Sequence, residues 1–235
     1  MINKNNETLG ISAEKVLCAL SGLDYSTISH RSLLSFETRI SSILEKALKE
    51  LPQLTKYVGT KKGERGYQSK SPIDFITIDN KTLSVKTTMN SSFKLCPSEC
   101  GQPGSETFDL YFGHLYDGPI NYNKFKQLVL TKVDKMIPIY LDHLFDCDYM
   151  LLVCIDSPSD GYYIFKKKDL PSFTWDRKRF SFTKTSMSEW NESNTVKYDG
   201  ISIGEFQAHN HRHSYKFRFH IMRLAEVMSA FLPSG

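Results

Sequence analysis

Residues 71–87 read SPIDFITIDNKTLSVKT. Apolar and polar side chains alternate along both halves, the pattern of a half-buried antiparallel hairpin. Asp79 and Asn80 supply the turn, because both residue types tolerate left-handed backbone and bond their own main chain. A three-residue loop of Asp79, Asn80 and Lys81 sets Ile78 against Thr82, Ile76 against Ser84 and Asp74 against Lys86, all on one sheet face. A two-residue loop would offset Asp74 from Lys86.

A carboxylate beside an ammonium on paired strands has two readings. One is a cross-strand ion pair, worth less than about 1 kcal/mol when exposed. The other is a metal-dependent phosphodiesterase site, in which Asp74 holds a divalent cation and Lys86 positions the attacking water.

The elements around the hairpin predict a mixed α/β domain. A helix capped by Ser12 runs through Val16, Leu17 and Leu20, after a mobile start over residues 1–10. A second helix spans residues 32–51, with Phe36, Ile40, Leu44 and Leu48 at helical spacing and Pro52 closing it. Glu37 lies in its first half, where a solvated helix glutamate is the ordinary reading. Residues 121–145 form a third helix, which Pro138 should kink. The run YMLLVCID, 149–156, reads as a strand buried on both faces, with residues 162–167 beside it. A further strand pair covers residues 201–218, and an amphipathic helix follows. These elements predict an α/β fold: a mixed central β-sheet flanked by helices, in one domain over residues 1–235.

Composition narrows the class of protein. The chain has 235 residues and a net charge of +4, mild enough to permit a nucleic-acid partner without demanding one. Five cysteines in no scaffold pattern fit a reducing compartment, and Cys96 and Cys100 lack a second pair for a zinc site. No apolar run is long enough to span a membrane, and the polar N-terminus lacks a signal peptide's apolar core. A cytoplasmic protein with no membrane contact is expected.

Two stretches stand out as elaborations. Residues 55–71 are Gly-rich and basic, with Lys61, Lys62, Arg65 and Lys70. Such a segment is usually a solvated loop, and before a nuclease-like hairpin it also suits phosphates. Residues 173–200 form a polar insertion that carries both tryptophans.

The layout PID…SVK, behind a helix bearing Glu37 and ahead of the 149–156 strand, resembles the PD-(D/E)xK nucleases, and among them the type II restriction endonucleases. The resemblance covers the second helix to the C-terminus. It implies a restriction-endonuclease-like fold, Mg2+ as cofactor, double-stranded DNA as substrate, and 5′-phosphate and 3′-hydroxyl ends. Asp74 matches the family's metal-binding aspartate and Lys86 its catalytic lysine, with Pro72 one residue early. Ser84 stands where the family usually has Asp or Glu, and a serine is a poor ligand for a hard dication. Family members with Ser-x-Lys draw a glutamate from the following helix, which points to Glu99 and then Glu106. Others use a glutamate of the N-terminal helix, which points to Glu37.

Site-specific cleavage needs contacts that fix register and contacts that read bases. Gln207, His209, Asn210 and Arg212 are side chains suited to base edges, while Lys216 and Arg218 alternate outward and suit phosphates. Gln102, on a turn flanked by glycine, is a further reader. Without the nuclease reading this stretch is an ordinary polar turn. A palindromic target implies a homodimer.

Overall fold

The computed structural model describes residues 4–62, 68–70, 72–89, 93–155, 160–209 and 214–228, with backbone alone at 29, 60–62 and 68–70. Helices α1 (Asn6–Leu20) and α2 (Leu34–Leu48) come first. Strands β1 (Leu54–Tyr57), β2 (Thr60–Lys62), β3 (Gln68–Lys70), β4 (Phe75–Thr77), β5 (Thr82–Thr88) and β6 (Lys94–Leu95) follow. After helices α3 (Ser105–Phe112) and α4 (Tyr122–Leu144) come β7 (Tyr149–Cys154), β8 (Gly161–Lys166), β9 (Phe180–Phe182), β10 (Ser193–Tyr198), β11 (Ile201–His209), β12 (Ser214–His220) and helix α5 (Ile221–Met228). The fold is mixed α/β, as expected. The strands form two five-stranded sheets and a small ribbon rather than one central sheet. Each large sheet belongs to its own compact unit, the first made of residues 1–91 and 147–169, the second of 92–146 and 170–235.

The first unit is built on the sheet β1-β4-β5-β7-β8, in which β5 and β7 run parallel and the other pairs antiparallel. Leu9, Ala13 and Leu17 of α1 and Phe36, Ile40 and Leu44 of α2 recur at helical spacing and are buried against Phe75, Leu83, Val85, Leu151 and Val153. Each of the larger side chains contributes about 1.5–3 kcal/mol by leaving water. Helix α1 begins earlier than Ser12, so the mobile start over residues 1–10 is not seen from Asn5 onward. Asn5 accepts the Thr8 N–H at 2.9 Å, and the Thr8 hydroxyl accepts the Asn5 N–H at 3.1 Å, a reciprocal cap. Ser12 instead sits inside the helix, donating to the Thr8 carbonyl and accepting the Leu33 N–H.

The hairpin exists, but its register differs from the expected one. Phe75 pairs with Leu83 and Ile76 with Thr82, so the loop is Ile78, Asp79 and Asn80. Thr77 N–H donates to the Lys81 carbonyl at 2.9 Å and closes that loop. Asn80 takes the left-handed conformation at φ 58°, which is where a three-residue hairpin loop ends. Ile78 therefore lies in the loop, 63% exposed, rather than opposite Thr82. Extending the register places Asp74 opposite Ser84, not Lys86.

The basic stretch 55–71 is no simple loop: β2 and β3 pair antiparallel, Lys61 with Ser69 and Thr60 with Lys70. Arg65 lies outside the described residues.

The second unit holds the antiparallel sheet β6-β12-β11-β10-β9. Phe206, Tyr215 and Phe217 fill one sheet face and meet Phe108 and Phe112 of α3 and Phe125 and Tyr140 of α4, with Phe206 and Phe217 ring centroids 4.4 Å apart. Residues 173–200, read as an insertion, build β9 and β10 of this sheet and bury Trp190 completely. Helix α4 is interrupted at Lys132 rather than at Pro138. Arg177 donates to the carbonyls of Leu130 and Thr131 there, diverting acceptors that the helix would otherwise use. Among the described residues no helix is long and apolar enough to cross a membrane.

Candidate functional site

The corrected register gives Asp74 a specific environment. Its side chain turns back over β5, where Oδ2 accepts the Val85 N–H at 2.6 Å and lies 3.5 Å from the Ser84 hydroxyl. Asp74 is only 9% exposed. Burial pushes its carboxyl up to about 6, against the opposing pull of the Val85 N–H, the Lys86 ammonium and the Ser84 hydroxyl.

The second carboxylate is Glu14, in the middle of α1. Burial first, and then the charge of Asp74, push its carboxyl up to about 7. Tyr57 of β1 donates to Glu14 Oε2 at 2.5 Å, and Lys86 and Arg31 also favour the ionised form. A buried carboxylate and a half-buried one that repel each other, beside one ammonium, form a constellation that attracts a cation. Gly59 leaves room for the Tyr57 ring, since a Cβ there would lie 2.8 Å from the Tyr57 hydroxyl.

Sequence reasoning missed Glu14. The signal available was an acidic residue directly between Ala13 and the Val16–Leu17 pair of the apolar stripe. The glutamates singled out instead lie elsewhere. Glu37 forms an ion pair with Lys15 at 2.9 Å. Glu99 belongs to the second unit, has φ +56°, and accepts the Tyr111 hydroxyl. Glu106 is exposed in the first turn of α3. Among the described residues no group of three or more His, Cys, Asp or Glu side chains is arranged to hold a metal.

The second unit gathers most of the expected reading residues on one sheet face. Beside β12, the Gly101 and Pro103 carbonyls accept the N–H groups of Phe217 and Tyr215 at 2.8 and 3.2 Å. This sets Gln102 beside Lys216, which pairs with Gln207 of β11. Arg218 pairs with Glu205 in the next row, and His209 with Ser214. Side chains alternate, so these residues share the face opposite the aromatic core. Lys94 of β6 joins them, 2.5 Å from Glu205. Burial would raise the Glu205 carboxyl, but Lys94, Gln207 and Arg218 together hold it below the usual carboxylate range. Asn210 and Arg212 lie outside the described residues, as do the side chains of Lys61, Lys62 and Lys70.

The chain is similar to a type II restriction enzyme. The relative is the type II restriction enzyme CviAII of Paramecium bursaria Chlorella virus 1, 26% identical over 216 residues. The match takes in 91% of this chain and 58% of that protein, so the chain spans little more than half the relative's length. No family model matches the chain, and no solved structure matches it.

Proposed function

We propose that the chain is a type II site-specific deoxyribonuclease that hydrolyses phosphodiester bonds in double-stranded DNA with Mg2+. The observation that carries this reading is the pairing of half-buried Glu14 with buried Asp74, with Lys86 beside them. The similarity to a restriction enzyme supports it.

The donor set suits Mg2+, a hard dication that takes one or two carboxylates and fills its other positions with water and substrate phosphate. Glu14 and Asp74 would hold it, and a dication there would offset the burial and mutual repulsion that raise their proton affinity. When bound, the ion would offset the charge that builds on the phosphate and the leaving oxygen. The rest falls to the chain. The Val85 N–H fixes the Asp74 carboxylate, and the Tyr57 hydroxyl fixes Glu14. Lys86 Nζ orients the water that attacks phosphorus in line. The bond to the 3′ oxygen breaks, that oxygen takes a proton, and the ends are a 5′ phosphate and a 3′ hydroxyl.

The polar face of the second sheet carries DNA recognition in this reading. Lys216 and Lys94 meet phosphates, while Gln102 and Gln207 reach base edges, and Arg218, expected from the sequence to meet phosphate, joins them there through its ion pair with Glu205. The basic segment with Lys61, Lys62, Arg65 and Lys70 adds affinity independent of sequence. A short palindromic site calls for a homodimer with one active site per strand.

A second reading, a DNA-binding protein on a nuclease fold that has lost catalysis, is favoured by Ser84 standing in place of an acidic residue. Glu14 weighs against it by supplying a second carboxylate. Digestion of a plasmid in Mg2+ separates the two. Discrete bands are expected, and Lys86→Ala is expected to abolish cutting while DNA binding persists. A Lys86→Ala protein that cuts at a near-wild-type rate would sink the assignment, and binding without cutting by the wild type would favour the second reading.

A further inference from the structure

A carboxylate in the middle of a cationic face is a liability for binding phosphates unless it organises the groups around it. Glu205 is placed to do so. Its Oε2 lies 2.5 Å from Lys94 Nζ, and its Oε1 accepts Gln207 Nε2 at 2.6 Å and lies 3.5 Å from Arg218 Nη2. Its side chain keeps 13% exposure against 27% for Lys94 and 28% for Arg218, so it lies beneath the cations that it holds. A carboxylate only accepts, so the Gln207 amide must turn its nitrogen toward Glu205. The remaining N–H and the carbonyl oxygen of Gln207 are then fixed as a donor and acceptor pair, the pattern that an adenine edge matches. Arg218, opposite Glu205 in the ladder, is drawn toward the same oxygen, with its Nη2 3.5 Å away.

We infer that Glu205 is a positioning residue for base recognition, orienting Gln207 and Arg218 so that the face distinguishes one base pair from another. This rests on the reading that the chain binds duplex DNA. Glu205→Gln keeps the size of the side chain but can present either an oxygen or a nitrogen, so neither partner is fixed. It also removes a negative charge from the face. The variant should therefore bind arbitrary DNA more tightly while its preference for the selected site falls by about tenfold to a hundredfold.

The test is selection from a randomised duplex library with the full chain in EDTA, followed by salt titration on a selected and a scrambled duplex. The wild type should enrich a consensus, and Glu205→Gln should relax one or more of its positions and raise affinity for the scrambled duplex. Lys216→Ala should weaken both duplexes equally and flatten the salt dependence. If Glu205→Gln enriches the unchanged consensus with undiminished preference, the inference is overturned and DNA reading stands. If the wild type enriches no consensus, DNA reading and this inference fall together. If circular dichroism shows that Glu205→Gln does not fold, Gln207→Leu takes its place, and an unchanged consensus there overturns the inference.

Discussion

The Tyr57 hydroxyl donates to Glu14 Oε2 at 2.5 Å and so ties strand β1 to the middle of helix α1. The contact fixes the rotamer of one of the two carboxylates proposed to hold Mg2+. Tyr57→Phe removes the donor and keeps the ring, which packs on Phe75 at 5.2 Å. The expected result is a rise of roughly tenfold in the Mg2+ concentration that half-saturates cleavage, with little change in melting temperature. Isothermal titration with Mg2+ and a melting curve check the two halves separately.

Glu14 and the glutamates chosen from sequence can be told apart by neutralising each. Glu14→Gln should reduce cleavage by at least about a thousandfold, as expected for loss of a ligand to the catalytic ion. Glu37→Gln and Glu99→Gln should leave the rate within a few-fold, since those carboxylates serve Lys15 and Tyr111. Single-turnover rates on one plasmid site decide this, and a severe loss in Glu37→Gln with none in Glu14→Gln would reverse the assignment.

The buried carboxylates also make stability depend on pH. Both groups have a higher proton affinity in the folded chain, Glu14 rising from 4.5 to about 7 and Asp74 from 3.8 to about 6. Across that window the folded state holds protons that the unfolded state has released, so their contribution is fully present below pH 3.8 and is lost as pH rises toward 7. In EDTA the melting temperature should therefore fall over this range. Mg2+ should stabilise the protein more at about pH 8 than at about pH 5, because protonated carboxyls are poor ligands. A melting temperature in EDTA that climbs through the same range would contradict the pairing of Glu14 with Asp74.

Asn80 sets the register that brings Asp74 to Ser84. At φ 58° a side chain branched at Cβ is strained, so Asn80→Val should cost about 1–2 kcal/mol. Asn80→Gly should be close to neutral. Urea unfolding of the two variants gives the difference.

What the sequence disclosed follows from which interactions are local. The hairpin, the strand Tyr149–Cys154 and the stripe of α2 were legible because each is written in periodicity over neighbouring residues. The hairpin register was not, because it turns on whether Asn80 closes the loop or sits inside it. Glu14 was hidden for a related reason. If the helix starts at Ser12, Glu14 falls in its first turn, where an acidic side chain already suits the helix dipole. Only the Asn5–Thr8 cap moves it to mid-helix, and only tertiary packing buries it beside Asp74. The partition of strands into two sheets was equally nonlocal, since Lys94 and Leu95 join strands more than a hundred residues away. The convergence of Gln102 with Lys216 is nonlocal too, set by the bonds of the Gly101 and Pro103 carbonyls to Phe217 and Tyr215.

The parallel pair β5 and β7 has a consequence for how the chain can be made and cut. Strand β5 ends at Thr88 and β7 begins at Tyr149, and most of the intervening residues belong to the other unit. The second unit is itself divided by the return of the chain through residues 147–169. Each unit therefore waits on a segment that emerges after part of the other, and the β5–β7 pairing must close a long loop before it gains any stabilisation. No continuous fragment contains either unit whole without part of the other. A truncation meant to isolate the hairpin and its carboxylates, ending before Tyr149, would remove the strand beside Lys86 and leave β5 as an open edge.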